Sequence, residues 1–279
     1  MNNSEFFIII LFLSVLSGFL GSVSGLGGSM FIISALVLIF SIDIHFAIAA
    51  GLLAIIATTS GVAGTYLKEG FINFRIGLFL STAAVFGAVI GSAMSSLLPD
   101  KTLVMFFGFV LLSSVYIHSR INKGSIDLKI RSEHFSDALR LSGQFKLENS
   151  VVKYKAYSVR RGYLVMIMAG IISGTMGTAS LALKTIAMEK IMRIPPKVST
   201  ATGNFILGII AATASGIYLS KGYVDPVLSA PVILGILAGS LISSAVFKKF
   251  NPNILKTVSF IIIVILGVFM LYFGSTGIR

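Results

Sequence analysis

The first long apolar stretch, residues 6–41, is the feature that most restricts how this chain can fold. One membrane-spanning helix needs about 20 apolar residues, so this stretch is too long for a single straight span. Glycines interrupt it at four positions: Gly21, Gly25, Gly27 and Gly28. They divide it into a leg over 6–24 and a shorter leg over 29–41. Because interrupted backbone at membrane depth is tolerated where it is buried in protein or lines a cavity, the interruption predicts a buried cavity or a binding site.

The composition extends this membrane assignment to the whole chain. Hydrophobic residues make up 56% of its 279 residues and charged residues 11%, whereas soluble domains average about 45–50% and about 25%. A second interrupted apolar block covers 163–192. Further apolar segments of spanning length are 45–67, 74–98, 102–118, 198–219, 227–247 and 255–274. The predicted fold class is an all-α polytopic membrane protein.

The two interrupted blocks belong to two similar halves, which are related by an offset of 152 residues. The most informative match is Gly64-x-Tyr66-Leu67-x-x-Gly70, which recurs as Gly216-x-Tyr218-Leu219-x-x-Gly222. Chance matches between apolar residues are common in membrane proteins, so matched glycines and tyrosines are more informative than matched alanines. We predict an internal duplication. Its parts are a first transmembrane repeat at 1–118, a basic cytoplasmic linker at 119–161 and a second transmembrane repeat at 162–279.

The linker orients the two repeats. Residues 119–161 contain ten Lys and Arg against four Asp and Glu, and loops rich in Lys and Arg face the cytoplasm. The basic residues Lys190, Arg193 and Lys197 suggest that their loop is cytoplasmic as well. Counting spans back from the linker places 41–45, which has no Lys or Arg, outside. Equivalent loops on opposite sides predict inverted repeats, an arrangement that supports alternating access to a site near the middle of the membrane.

Each repeat has about four hydrophobic segments, and the first of them is broken. In one topology each broken block enters and returns on one side as a hairpin and is followed by three full spans. The alternative is eight simple spans, which leaves the basic residues of the loop after 163–192 outside. Within the linker, 139–147 and 151–159 could pair as a β-hairpin around 148–150. Either topology gives a multi-pass protein of the cell membrane.

Short motifs recur in order along both halves. The first half contains Gly25-Leu-Gly-Gly28 and Gly87-Ala-x-x-Gly91-Ser92, and the second contains Ser173-Gly174, Gly177, Lys184 and Gly222-Tyr-Val-Asp225. In these motifs, and over nearly the whole chain apart from the linker, the sequence resembles the sulfite exporter TauE/SafE family of membrane transporters. It departs from the family pattern at three places. Two lie in a motif close to S-G-L-L-G-I-G-G-G-x-x-x-V-P-A-L that family members carry in each half. The triple glycine of the motif reads Ala179-Ser180-Leu181 in the second half, and the motif proline is replaced by Ser34 and Ile186. The third is the family's Thr-Ser pair after the hairpin, which reads Ala50-Gly51 in the first half and Thr202-Gly203 in the second.

The broken blocks also predict where a ligand binds. A small oxyanion needs hydrogen-bond donors and positive potential, which a helix N-terminus supplies through free N–H groups and about half a positive charge. Glycine lets the backbone approach such a ligand closely. The predicted substrate-binding residues are the glycines that open the second legs, neighbouring polar side chains and one lysine. They are Gly25, Gly27, Gly28, Ser29, Gly177, Ser180, Lys184, Thr202 and Asn204.

These residues also have a purely structural interpretation. Small residues let helices pack closely in lipid, which accounts for the glycines without any ligand. Lys184 lies in an otherwise apolar leg, where a charge is costly and usually functional. A lysine can also extend its amine to the membrane interface, however. The resemblance to TauE/SafE members with Lys at this motif position favours a functional role.

The expected function is therefore transport of a small anion across the membrane by alternating access. The resemblance implies sulfite, an organosulfonate or a related sulfur oxyanion as the substrate. The alternative is a membrane-embedded enzyme or an assembly scaffold, although no His is placed mid-span to activate a serine.

The sequence also sets expectations for cofactors and partners. The chain has no Cys, and its histidines, His45, His118 and His134, are too scattered to indicate a metal cluster. We therefore expect no cofactor and no metal. The expected partners are the small anion and anionic lipids at the cytoplasmic face. We expect no nucleic acid, and a homodimer is compatible with the sequence.

Overall fold

The computed structural model describes residues 3–24, 27–121, 141, 143–147, 150–178, 181–246 and 252–276. Within these residues the chain forms ten α-helices and one two-stranded antiparallel β-hairpin. Six of the helices are long and apolar enough to cross a membrane. The predicted class, a helical polytopic membrane protein, is confirmed.

The helices fall into two sets of five. The first set is α1 (Asn3–Ser24), α2 (Ser29–Phe40), α3 (Ile44–Glu69), α4 (Phe74–Ser95) and α5 (Asp100–Ile121). The second is α6 (Val159–Met176), α7 (Leu181–Thr185, continued as a π-helix over Ile186–Ile191), α8 (Pro196–Ser220), α9 (Pro226–Val246) and α10 (Pro252–Thr276). The strands between them are β1 (Gly143–Leu147) and β2 (Ser150–Tyr154).

The first broken block, α1 and α2, folds back on itself. The rings of Phe6, near the start of α1, and Phe40, at the end of α2, pack edge to face with centroids 5.7 Å apart. The turn between the helices is so tight that a Cβ atom on Gly21 would collide with the backbone of Gly28. Helix α2 has 12 residues and is therefore about 18 Å long, too short for a hydrocarbon core of about 30 Å. The block therefore forms a hairpin whose two ends lie together.

The second broken block, α6 and α7, is also a hairpin. The backbone N–H of Tyr157, just before α6, donates to the carbonyl of Met192, just after the π-helix, at 3.0 Å. The guanidinium of Arg193 lies over the ring of Tyr157 at 5.8 Å from its centroid. Because both ends of this block lie together, the hairpin topology fits the structure and eight simple spans do not.

The duplication is visible in how the helices pack. Helix α4 contacts α6, and the equivalent helix α9 contacts α1. A Cβ atom on Gly87 would collide with the carbonyl of Ile167, and one on Gly239 would collide with the carbonyl of Val15. Gly87 corresponds to Gly239, and Val15 corresponds to Ile167, at the same 152-residue offset. The same contact therefore occurs twice. In one copy α4 of the first half packs on α6 of the second half, and in the other α9 of the second half packs on α1 of the first half.

The linker contains the predicted β-hairpin, which the structure describes over 143–147 and 150–154. Of its predicted residues, 139, 140, 142 and the turn at 148–149 lie outside the described part of the chain. Gly143 pairs with Tyr154 at the open end and Leu147 with Ser150 at the turn. The second strand ends at Tyr154 and not at the predicted 159, because α6 already begins at Val159. The hairpin packs on the membrane domain through Tyr154, whose hydroxyl accepts a 2.8 Å hydrogen bond from Nδ2 of Asn73.

Candidate functional site

The tip of the first hairpin presents the start of α2 without a side-chain cap. Gly27 has φ 91°, a conformation that favours glycine, and Gly28 is the N-cap. Ser29 opens the helix and is buried, and its Oγ has no hydrogen-bond partner in the part of the chain that the structure describes. Gly25 lies outside the described residues. The first-turn N–H groups of α2 have no partners within the helix itself, as the prediction of an anion cradle requires.

At the tip of the second hairpin, Gly177 terminates α6 in the left-handed conformation with φ 61°. Its N–H donates to the carbonyl of Ser173 at 2.9 Å, so this group is used to end the helix and is not free for a ligand. The next residue, Thr178, is fully buried, and its Oγ1 has no partner among the described residues. Ser180 lies outside those residues.

Lys184 is the buried charge of the second hairpin. Its exposed fraction is 2%, and no described residue offers its Nζ a hydrogen bond. The carboxylate of Glu189 acts on it electrostatically but does not reach hydrogen-bonding distance. The side chain lies on α8, where a Cβ atom on Gly203 would come within 2.5 Å of Nζ. The amine is therefore held inside the protein against α8.

Helix α3 is where the first hairpin meets the tip of the second. A Cβ atom on Gly51 would lie 2.6 Å from Cδ1 of Ile33 on α2 and 3.5 Å from the carbonyl oxygen of Gly177. Ser29 lies one helical turn before Ile33, and Thr178 follows Gly177 directly. The structure therefore brings the predicted elements of both halves against one stretch of α3.

Of the predicted side-chain donors, Thr202 has a structural contact instead. Its Oγ1 accepts a hydrogen bond from the backbone N–H of Asn73 at 3.0 Å. Its methyl group lies 3.3 Å from the position of a Cβ atom on Gly77. Thr202 therefore holds α8 against the first turn of α4. Asn204 is half-buried beside Gly203.

Sequence reasoning missed Thr178 and the role of Gly203. Thr178 aligns with Leu26 of the first half, so comparing the halves gave it no weight. Gly203 gave a signal, because it pairs with Gly51 across the repeat. The pairing marks a position where a neighbouring side chain needs space, but the sequence does not say which side chain fills it.

A separate polar cavity of about 240 Å³ lies where the β-hairpin meets the loop before α4. Asn73, Arg75 and Tyr154 are among its lining residues. Burial raises the pKa of the Tyr154 phenol, and the hydrogen bond from Asn73 opposes that rise. None of the predicted substrate-binding residues lines this cavity, so it is distinct from the site at the hairpins.

Residues 10–270 match the family model described as "Sulfite exporter TauE/SafE". The chain is 26% identical over 267 residues to "Probable membrane transporter protein YdhB" of Bacillus subtilis (strain 168), a match that covers 95% of this chain and 98% of the relative. It is 24% identical over 277 residues to "Probable membrane transporter protein YunE" of the same organism, covering 96% and 98%. No solved structure matches the chain. The similarity includes both broken blocks and the helices on which they pack.

Proposed function

Because the chain belongs to the sulfite exporter TauE/SafE family of membrane transporters, we propose that it moves a small sulfur oxyanion across the membrane. Sulfite and short organosulfonates are the substrates that this proposal names. In it, the bound anion contacts the amine of Lys184 at the second hairpin. The relatives' names, which describe membrane transporters, favour transport over catalysis.

The observation that carries the proposal is the amine of Lys184, which is buried and has no hydrogen-bond partner in the described residues. An isolated charge inside a protein is costly unless it is paired, and charges within membrane segments usually mark a substrate or ion pathway. Glu189 compensates this charge only at a distance. An oxyanion beside the amine would supply the missing partner, so the site is suited to a negatively charged substrate.

Hydroxyl donors without partners support the same substrate class. Ser29 and Thr178 are buried with unsatisfied hydroxyl oxygens in the described part of the chain, and a buried polar group of this kind normally finds a partner. Both can donate to the oxygens of a sulfite or sulfonate group. The uncapped first turn of α2 adds backbone N–H groups near Ser29. This donor set fits a small oxyanion better than a cation.

The mechanism we propose is alternating access between inverted halves. Each half consists of a hairpin that does not cross and three longer helices of 21 to 26 residues. Three crossings per half reverse the direction of the second half relative to the first. The ten basic residues of 119–161 against four acids support a cytoplasmic linker. The two hairpins would then enter from opposite sides of the cell membrane, with the substrate between them.

Replacing the charge of Lys184 tests this function. In Lys184→Gln the ammonium is exchanged for an uncharged amide, so the anion loses a charged hydrogen bond that contributes about 1.5–3 kcal/mol. The dissociation constant for sulfite should rise roughly 10- to 150-fold. It is measured by titrating the purified protein with a panel of the anions sulfite and sulfate and the zwitterionic organosulfonate taurine. Sulfite flux in proteoliposomes should fall in parallel.

Lys221→Gln is the matched control, because this lysine is bonded outside the site. Its Nζ donates to the carbonyl of Ser92 at 3.0 Å and to Oγ of Ser96 at 2.6 Å. Lys221→Gln should therefore bind and transport sulfite like the parent chain. Equal dissociation constants for Lys184→Gln and the parent would remove Lys184 from the site. If none of the anions in the panel binds saturably, the anion proposal as a whole is contradicted.

A further inference from the structure

A cluster of two carboxylates and one imidazole lies at the start of α3 and α5, just after the first hairpin. Nδ1 of His45 is 3.1 Å from Oδ1 of Asp43 and 3.6 Å from Oδ1 of Asp100. The three potential ligand atoms all lie within 4.8 Å of one another. His45 is 5% exposed, whereas both carboxylates are open to solvent, with side chains 44% and 48% exposed. The cluster is therefore anchored in protein and accessible from outside it.

The other ring nitrogen determines how His45 can act. Nε2 lies 3.2 Å from the carbonyl oxygen of Ser95, and a carbonyl only accepts hydrogen bonds, so Nε2 carries a proton. In the neutral ring the lone pair of Nδ1 then faces the two carboxylate oxygens. Three electron-pair donors that converge in this way repel one another unless a proton on Nδ1 or a metal ion lies between them. A metal-binding histidine typically donates its second N–H to a backbone carbonyl, as His45 does.

We propose that Asp43, His45 and Asp100 bind one divalent transition-metal ion of the zinc class. Tetrahedral coordination with bonds of about 2.0–2.2 Å separates ligand atoms by about 3.3–3.6 Å, and the distances of 3.1 and 3.6 Å from Nδ1 lie close to that range. One nitrogen and two carboxylate oxygens suit Zn²⁺ and its neighbours Co²⁺ and Ni²⁺. Solvent at the exposed carboxylates gives the ion a route in and a water for its fourth position.

The surroundings indicate what a bound ion does. Oδ1 of Asp43 also accepts the backbone N–H of His45 at 2.8 Å, so ion binding would fix the first turn of α3. The His45 ring stacks on Tyr223 of the second half, with centroids 4.7 Å apart. Oγ of Ser95 is 2.6 Å from the hydroxyl of Tyr218, which donates to the carbonyl of Thr175 near the second hairpin tip. The ion would thus brace one face of the protein where both halves meet.

Metal titration of the purified full-length protein tests the site. After treatment with EDTA, ZnCl₂ should bind with one saturable site per chain in isothermal titration calorimetry. CoCl₂ at the same site should give the visible absorption of tetrahedral Co²⁺. His45→Gln and Asp100→Asn should each raise the dissociation constant for Zn²⁺ at least about tenfold, because even residues that only support a ligand affect metal affinity by that much.

Two variants are used because replacing the buried His45 could unfold the protein and lower Zn²⁺ binding for that reason alone. Asp100→Asn changes an exposed group and avoids this problem. Asp225→Asn is the matched control. Its Oδ1 caps α9 by accepting the N–H of Val227 at 2.8 Å, as Asp43 caps α3, but it belongs to no such cluster in the described residues. Asp225→Asn should bind Zn²⁺ like the parent. Unchanged Zn²⁺ affinity in Asp100→Asn, or no saturable one-to-one binding to the parent, would overturn the proposal.

Discussion

A single buried amine, that of Lys184, and a single glycine beneath it, Gly203, form the central contact of the candidate site. The lysine has room only because position 203 has no side chain: Nζ, Cε and Cδ would all lie within 2.7 Å of an added Cβ atom. The glycine therefore determines where the charge lies, and in the proposed function that charge selects an anion.

Gly203→Ala should weaken sulfite binding without unfolding the protein. The added methyl group displaces the lysine tail, which is flexible and can shift at little cost to stability. We expect a dissociation constant about tenfold higher, equivalent to about 1.4 kcal/mol, and an unchanged melting temperature. Gly216→Ala on the same helix is the control, since an added Cβ atom there meets no atom within 4 Å. Equal sulfite affinity in both variants would show that the position of Lys184 does not matter.

At this scale the sequence predicts which residues are unusual but not what they contact. Lys184 stands out because it is charged within an apolar leg. Thr202 looks like a donor for the site, yet it accepts a hydrogen bond from Asn73, which lies 129 positions away in the chain. Contacts of such long sequence separation leave no trace in local pattern or spacing. The Asp43–His45–Asp100 cluster was missed for the same reason, because α5 supplies its third member.

The elements of the fold were more predictable than the site. Apolar length indicates the long helices, and paired glycines indicate the breaks in both blocks. Whether a broken block crosses or returns depends on where its ends meet, as they do at Phe6 and Phe40. Charge placement alone left that choice open, since it reports the side of a loop and not the path between two loops.

The close contacts between helices allow us to predict how two glycine substitutions change the stability of the protein. Gly87→Ala and Gly239→Ala should each destabilise the protein by roughly 1–3 kcal/mol, because overpacking forces backbones apart. An added Cβ atom would meet a backbone carbonyl in both cases, at Ile167 and Val15. Thermal unfolding in detergent should show similar losses for the two variants. Gly216→Ala should show none, and a loss in only one of the two helix pairs would argue against equivalent packing in the halves.

The whole molecule is two halves whose local features repeat 152 residues apart. Ser41 and Arg193 both have positive φ, 51° and 55°, and so do Gly70 and Gly222, at 68° and 76°. The helix pairs α1–α9 and α4–α6 correspond in the same way. A sequence offset predicts that the halves are equivalent but not how they are oriented in the membrane. The twofold axis that relates them could lie in the membrane plane or along the membrane normal.

The hairpins supply an argument for the direction. Loops of a few residues, such as 41–43, 70–73 and 221–225, join successive helices, so neighbouring long helices run in opposite directions. In the proposed topology each half crosses the membrane three times, and an odd number of crossings would invert the half that follows. The absence of Lys and Arg at 41–45, against the basic residues after α7, agrees with opposite sides for the two hairpin bases.

Cysteine labelling in cells tests the inversion directly. The chain contains no Cys, so Ser41→Cys and Arg193→Cys each introduce one thiol without any background. Both positions are exposed and equivalent in the two halves, so accessibility to reagent is matched. A membrane-impermeant maleimide should label Ser41→Cys in intact cells and Arg193→Cys only after the membrane is opened, because inversion places the first hairpin base outside and the second inside. Labelling of both variants from one side would mean that the halves are not inverted, and alternating access between them would lose its structural basis.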